Sequence, residues 1–208
     1  MSFAEGEPFS VDSGGHPAVE ALADSLSRLH AVTARRWGRP GRPRLGSIHR
    51  DWARSVTRRL TEAESLAPEA VRRSLTPIGG KMLAVLERLP RPREFQLCHH
   101  HLAPDDALYD RAGGRLTFVD CGGLQFSRAA RDVADAITLV LADQPEAEAT
   151  FLARYEASIG QDAAADVRRE LPFFRAFGRL VKLRSRLRHG DAVEPALEAL
   201  VEAAAQLT

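Results

Sequence analysis

The densest group of chemically active side chains lies near the middle of the sequence. The run from Cys98 to Asp106 reads Cys-His-His-His-Leu-Ala-Pro-Asp-Asp, and a second group, Asp120 with Cys121, follows further along the chain. Imidazoles and carboxylates act as general acids and bases, and they also bind metal ions. This middle segment is therefore the candidate functional region.

The three adjacent histidines raise the question of a metal site. In an extended segment, His99 and His101 would point to one side and His100 to the other. Two imidazoles with Asp106 or Asp120 would make a His/carboxylate transition-metal site. Alternatively, the two carboxylates alone would bind Mg²⁺, which prefers oxygen ligands. The plainer interpretation is that the histidines are structural or line a pocket, and that the carboxylates cap turns.

Short segments of β type flank this region. Residues 94–98 and 107–110 read as extended, and 115–119 is a β-rich run. Between the last two, residues 110–114 (Asp-Arg-Ala-Gly-Gly) have the composition of a hairpin turn. The pattern predicts a small β-hairpin beside the candidate region.

The rest of the sequence has helical periodicity. After Pro17, apolar residues recur at helical spacing and predict a helix that ends near Arg36, before a breaker-rich loop over residues 38–43. Asp132 lies at the start of a predicted helix after Arg128 and is expected to bond backbone amides there. Further helices are predicted over residues 52–60, 133–140, 151–159, 171–187 and 193–207, and residues 68–89 are predicted as one helix or as two that are interrupted between Pro77 and Gly80. The predicted fold is mostly α (α+β), with residues 1–16 a flexible lead-in and 17–208 a single domain.

Composition excludes several classes of protein. The 208 residues are 44% hydrophobic and 27% charged, with a formal net charge of +1, so no global field drives the chain onto nucleic acid or acidic membrane. No apolar run approaches the roughly 18–20 residues of a membrane span, and the first 17 residues lack the pattern of a signal peptide. Two cysteines, Cys98 and Cys121, make no disulfide framework and are expected to be small buried residues. A cytoplasmic location is expected.

The order of these motifs resembles the aminoglycoside phosphotransferase and choline kinase family. Members carry a catalytic loop H-G-D-x-x-x-x-N, a short hairpin, a metal-binding Asp, and a helix start of D-L-A type. On this pattern His99 matches the loop histidine, Asp120 the metal-binding Asp, and Asp132 the Asp of the helix start. His101 stands where the catalytic Asp belongs, and Asp106 where the metal-binding Asn belongs. The resemblance covers residues 18–190 and is specific over 97–135.

The resemblance implies a protein-kinase-like C-terminal lobe with a small β-hairpin. It also implies that the N-terminal ATP lobe is absent, because only residues 1–16 precede the first matched helix, and neither Lys81 nor Lys182 has a strand context. Phosphoryl transfer needs a carboxylate at the acceptor hydroxyl and metal ligands at the phosphates. The replacements imply a pseudokinase instead of an autonomous kinase. They imply no cofactor other than Mg²⁺.

Three functions stay open at this point. The first is a degenerate phosphotransferase-like protein that binds a small polar metabolite or a partner protein in the remnant acceptor cleft. The second is an enzyme of different chemistry in specialised metabolism, with His99, His101, Asp106 and Asp120 as acid/base or metal groups. The third is a phosphotransferase completed by an N-lobe on another chain. Nucleic acid and membranes are not expected as partners.

Overall fold

The computed structural model describes residues 6–142 and 144–207. Within them it contains seven α-helices and two small antiparallel sheets, which confirms the mostly α (α+β) prediction. The helices are α1 (Val11–His30), α2 (Ile48–Leu66), α3 (Glu69–Arg88), α4 (Ala129–Asp135), α5 (Pro145–Ile159), α6 (Gln161–His189) and α7 (Glu194–Ala205). The strands are β1 (Glu7–Pro8), β2 (Thr33–Ala34), β3 (Gly38–Arg39), β4 (Arg42–Pro43), β5 (Phe95–Cys98), β6 (Ala107–Asp110), β7 (Arg115–Phe118) and β8 (Gln125–Ser127).

The described chain contains two compact units. The first unit comprises the chain up to Leu45 together with Pro92–Arg168. The second comprises Gly46–Arg91 and the chain from Arg169 onward. Both sheets and the whole candidate region fall in the first unit.

The beginning of the chain differs from the predicted lead-in over residues 1–16, of which 1–5 lie outside the described residues. Glu7–Pro8 pairs with β6, and α1 begins at Val11. A break at Gly15 (φ 57°, ψ −158°) interrupts this helix, because glycine adopts a left-handed backbone without a steric penalty. Pro17 follows the break, where its missing N–H costs no helical hydrogen bond.

The end of α1 and the following loop also differ from prediction. The helix ends at His30, not near Arg36, because the chain turns into the sheet at Thr33. Residues 38–43, predicted as a loop, form the tight hairpin β3–β4. Its turn is Pro40-Gly41 with φ 73° at the glycine, as expected for a type II turn.

Two sheets place the candidate region. One has the strand order β1-β6-β7 and contains the predicted hairpin, while the other has the order β2-β5-β8-β3-β4. In the larger sheet Cys98 pairs with Gln125, and Gly38 pairs with Phe126. The end of β5 and the start of β8 therefore lie at the same end of that sheet.

Each unit has its own apolar core. In the first, α1 packs against α5, and Leu22, Leu26 and Phe151 are fully buried. In the second, the ring of Trp52 packs edge-on against Phe174 and Phe177, with centroids 5.0 Å apart in both pairs. Among the described helices, none combines the length and the apolar character needed to cross a membrane.

Candidate functional site

The loop that follows β5 is hydrogen-bonded to a carboxylate of α4. Asp132 accepts a hydrogen bond from the backbone N–H of His99 at 2.5 Å and one from His100 at 2.8 Å. Its side chain is completely buried. Hydrogen bonds to a charged acceptor are the stronger kind, so Asp132 fixes the path of the backbone into the histidine run.

His30 at the end of α1 extends this network. Its Nε2 lies 3.3 Å from the carboxylate of Asp132, and its Nδ1 lies 2.6 Å from the hydroxyl of Tyr155 in α5. A carboxylate only accepts hydrogen bonds, so Nε2 carries a proton. In the neutral ring, Nδ1 then accepts from the tyrosine hydroxyl. The loop is thus connected through Asp132 to two helices of the first unit.

The charge of Asp132 is favoured by its partners. Burial alone would raise the pKa of this carboxyl, but the hydrogen bond and charge of His30 and the two backbone N–H groups outweigh it. The net result is a lowered pKa. Asp132 therefore remains an anion at neutral pH and keeps both amides bonded.

The predicted role of Asp132 as a cap of its own helix is corrected by this geometry. The residue lies inside α4, not before it, and the amides it bonds belong to the histidine loop. The prediction that it bonds backbone amides is right, but the amides are more than thirty positions away in sequence.

His99 is buried and bonded, with only 1% of its surface exposed. Its Nε2 donates to the backbone oxygen of Val119 at 2.9 Å, which joins the loop to the end of β7. No described residue forms a hydrogen bond with its Nδ1. These contacts make His99 a structural bridge between two segments of the candidate region.

The backbone of His100 overturns the expected alternation of side chains. Its φ is 76°, a left-handed value that ends the extended geometry of β5. As a result His99 is buried while His101 is exposed, although both were expected on one side. The rings of His100 and His101 are neighbours instead, with centroids 5.3 Å apart and an edge-on arrangement.

A tight turn packs against this loop. Residues Cys121–Gly123 form one turn of 3₁₀ helix that begins at Asp120, whose φ is 49°. A Cβ on Gly123 would lie 2.9 Å from the backbone oxygen of His99 and 3.9 Å from Cδ2 of His101. The turn therefore lies close to the ring of His101, and Asp120 is exposed beside it.

The two candidate magnesium ligands share the opposite end of the β6–β7 hairpin from its turn. The backbone oxygen of Asp106 accepts from Val119 at 2.8 Å, which brings it next to Asp120. One carboxylate oxygen of Asp106 accepts from the N–H of Ala103 at 2.9 Å, and the other has no hydrogen bond to a described residue. This donor set is all oxygen, so it fits Mg²⁺, which needs only one or two carboxylates beside water and phosphate.

The predicted transition-metal site of His99 and His101 with Asp106 or Asp120 is not brought together among the described residues. In the part of the chain that the structure describes, the only three potential ligands within 4.8 Å of one another are His30, Cys98 and Asp132. Burial raises the pKa of the Cys98 thiol well above its ordinary value, so the sulfur keeps its proton and donates to Gln96. This group is a hydrogen-bonded core. Cys98 is buried as expected, but Cys121 is exposed.

Two residues of this network, His30 and Tyr155, were not predicted. Both end up buried between elements that are distant in sequence. Their segments resemble helices of the family. Nothing in the local sequence, however, identifies a histidine at a helix end as a partner of Asp132.

Comparisons with solved structures agree on the fold. An ethanolamine kinase from Plasmodium vivax shares 15% identity at a TM-score of 0.62, with coverage of 97% of this chain and 63% of that one. Choline kinase LicA from Streptococcus pneumoniae shares 16% at 0.60, with coverage of 97% and 66%. Aminoglycoside phosphotransferase APH(4)-Ia, solved with ADP and hygromycin B, shares 13% at 0.70, with coverage of 97% and 70%.

At these identities the structures establish the protein-kinase-like fold alone. This chain spans about two thirds of the length of each of these three proteins. A search of curated proteins found no match. The sequence profile of the phosphotransferase enzyme family (APH) matches residues 1–171. The chain belongs to that family.

Proposed function

We propose that this chain is a degenerate phosphotransferase-like protein that does not act as a kinase by itself and that binds a small polar molecule beside His101. The carrying observation is that Asp132 holds the histidine loop in place and that His101, which the family pattern aligns with the acceptor-orienting carboxylate, is an exposed imidazole. The loop is preserved as a scaffold, but its reactive group has changed.

The chemistry of position 101 supports this proposal. Phosphoryl transfer in kinase-like folds depends mainly on positioning and electrostatics, and a carboxylate accepts the proton of the acceptor hydroxyl. A neutral imidazole both donates and accepts hydrogen bonds, which suits a polar ligand. It lacks the negative charge of the family's group at that position.

Magnesium remains compatible with the site. Asp106 and Asp120 would hold the ion through their carboxylate oxygens. Asp106 also keeps its hydrogen bond to the N–H of Ala103, so it closes the loop whether or not an ion is present. Different chemistry by four clustered groups is less well supported, because both nitrogens of His99 are buried.

Calorimetry and product analysis test the proposal. The purified chain is expected to bind Mg-ATP with a dissociation constant weaker than about 10 μM, equivalent to about −7 kcal/mol. No phosphorylation of choline or aminoglycosides is expected from the wild type or from His101→Asp. Tight Mg-ATP binding or sustained phosphate transfer by the wild-type chain would overturn the proposal.

Ligand binding is followed by NMR of the histidine ring protons during titration with small polar molecules. The signals of His101 are expected to shift, and His101→Ala is expected to abolish binding. His16→Ala is the matched control, since His16 is an exposed histidine on α1, and its ligand affinity should equal that of the wild type. Ligand affinity that is equal in His101→Ala and the wild type would show that the site lies elsewhere.

A further inference from the structure

One exposed segment of the first unit concentrates positive charge. Residues 25–45 contain six arginines and no Asp or Glu, although the net charge of the whole chain is only +1. Five of these arginines lie within 33–45, the part that forms β2, β3 and β4, and all five are exposed. They are Arg35, Arg36, Arg39, Arg42 and Arg44.

The β3–β4 hairpin brings two of these charges together. Arg39 and Arg42 are directly opposite partners on the two antiparallel strands. Opposite partners project from the same face of a sheet, and like charges in such a pair destabilise it. The tight Pro40-Gly41 turn holds the pair in register. The fold therefore maintains a doubly cationic surface at a local energetic cost.

Strand register places this pair at the same end of the sheet as the start of the histidine loop. Gly38 pairs with Phe126, and Cys98 pairs with Gln125. Arg39 is therefore level with Gln125, and the hairpin turn lies beyond it on the side where β5 continues into His99. β3 and β5 are both neighbours of β8, so two strand spacings, about 10 Å, separate them.

We infer that the ligand of the His101 site is an anionic small molecule that carries a phosphate or carboxylate group, and that the hairpin over residues 38–43 binds this group. This inference rests on the proposed function of the His101 site. Guanidinium groups bind both kinds of anion through paired hydrogen bonds. The spacing of about 10 Å between β3 and β5 sets the scale of a metabolite that would contact the hairpin at one end and the loop after β5 at the other.

Other charges at this end of the sheet set the orientation of the ligand. Asp106 and Asp120 lie on the β6–β7 side of the histidine loop. A ligand would turn its anionic group toward Arg39 and Arg42 and its neutral polar groups toward His101. Arg44 is positioned differently, with its guanidinium 5.2 Å from the centre of the Trp37 ring, and it stabilises the base of the hairpin.

The test uses pyrophosphate, citrate and choline as probes in low-salt buffer, with calorimetry and NMR of the histidine rings. Pyrophosphate or citrate is expected to bind and to shift His101, and comparison of the two distinguishes phosphate from carboxylate recognition. The double variant Arg39→Ser/Arg42→Ser is expected to weaken binding about tenfold or more. Arg39→Lys/Arg42→Lys keeps the charge without the paired hydrogen bonds and should give a smaller loss.

Arg111→Ser is the matched control, because Arg111 is an exposed arginine in the turn of the β6–β7 hairpin, and its affinity should equal that of the wild type. Absence of anion binding, equal anion affinity in the double serine variant, or a His101 signal that responds to choline alone would overturn the inference and leave the His101 site standing. Anion binding that needs the arginines but is identical in His101→Ala would support the arginine pair and contradict the proposed function.

Discussion

Asp132 and His30 lie 3.3 Å apart, and both side chains are buried. The pair connects α1 to the histidine loop, and Tyr155 closes the network from α5.

Asp132→Ala is expected to lower the free energy of unfolding by about 3–5 kcal/mol, because each buried donor that loses its acceptor costs about 1–3 kcal/mol. This exceeds the cost of a lost helix cap, about 0.5–2 kcal/mol, because two buried amides and His30 all lose their acceptor. Urea denaturation measures the effect. Asp105→Ala, at an exposed neighbouring carboxylate, should change the midpoint little, and a similar change in both variants would contradict this account.

Tyr155→Phe is expected to lower the free energy of unfolding by about 1–3 kcal/mol, because Nδ1 of His30 is left unsatisfied in the core. The stacking of this ring on Phe151 should survive. Thermal and urea unfolding provide the measurement. Tyr109→Phe is the control, since the Tyr109 ring is also buried and its hydroxyl has no hydrogen bond to a described residue. Equal losses in the two variants would argue against the hydrogen bond to His30.

Asp135 should make stability depend on pH. Burial raises the pKa of Asp135 to about 7, against the lowering effect of Arg131, 2.9 Å away. Its ordinary pKa in an unfolded chain is about 3.9. Between these values the folded state holds a proton that the unfolded state has released, so this group makes stability fall as pH rises from about 4 to about 7.

Asp135→Asn is expected to remove that fall. The full slope for one such proton is about 1.4 kcal/mol per pH unit. Urea unfolding of the variant and the wild type at pH 5, 6, 7 and 8 measures the difference. Asp162→Asn, at an exposed position, should keep the wild-type dependence. A pH dependence that is unchanged in Asp135→Asn would show that the carboxyl is ionised throughout.

Gly123→Ala should distort the histidine loop, whereas Gly122→Ala should not. The added Cβ at position 123 would lie 2.9 Å from the backbone oxygen of His99, while at position 122 its nearest neighbour is Oδ1 of Asp120 at 3.5 Å. Overpacking of this kind costs about 1–3 kcal/mol. Histidine NMR signals and unfolding midpoints test the pair. Undisturbed His99 and His101 signals in Gly123→Ala would show that the turn is not pressed against the loop.

Sequence patterns predicted the local features of the fold and missed the long-range ones. The β6–β7 hairpin was predicted because its turn composition and β-rich strands are contiguous. Strands of two residues, such as β2 and β3, have almost no local signal, and they exist because partners such as Phe95 and Phe126 are brought to them. The same limit applied to the site.

For the site, the family resemblance located the loop but not its geometry. Burial of His99 and exposure of His101 depend on one left-handed residue, which an extended-strand assumption does not anticipate. The role of Asp132 depends on α4 packing beneath the loop, which its position near a helix start could not reveal.

The left-handed backbone at His100 bears on which side chains this loop can carry. The family loop has glycine at that position, and φ 76° is a conformation that glycine adopts freely and other residues adopt at a cost of about 1–2 kcal/mol. The two hydrogen bonds from Asp132 to the amides of His99 and His100 offset this cost, and they do not involve the side chain at position 100. The backbone path at positions 99 and 100 is therefore held from α4, and the exposed side chain at position 101 can change without altering that path.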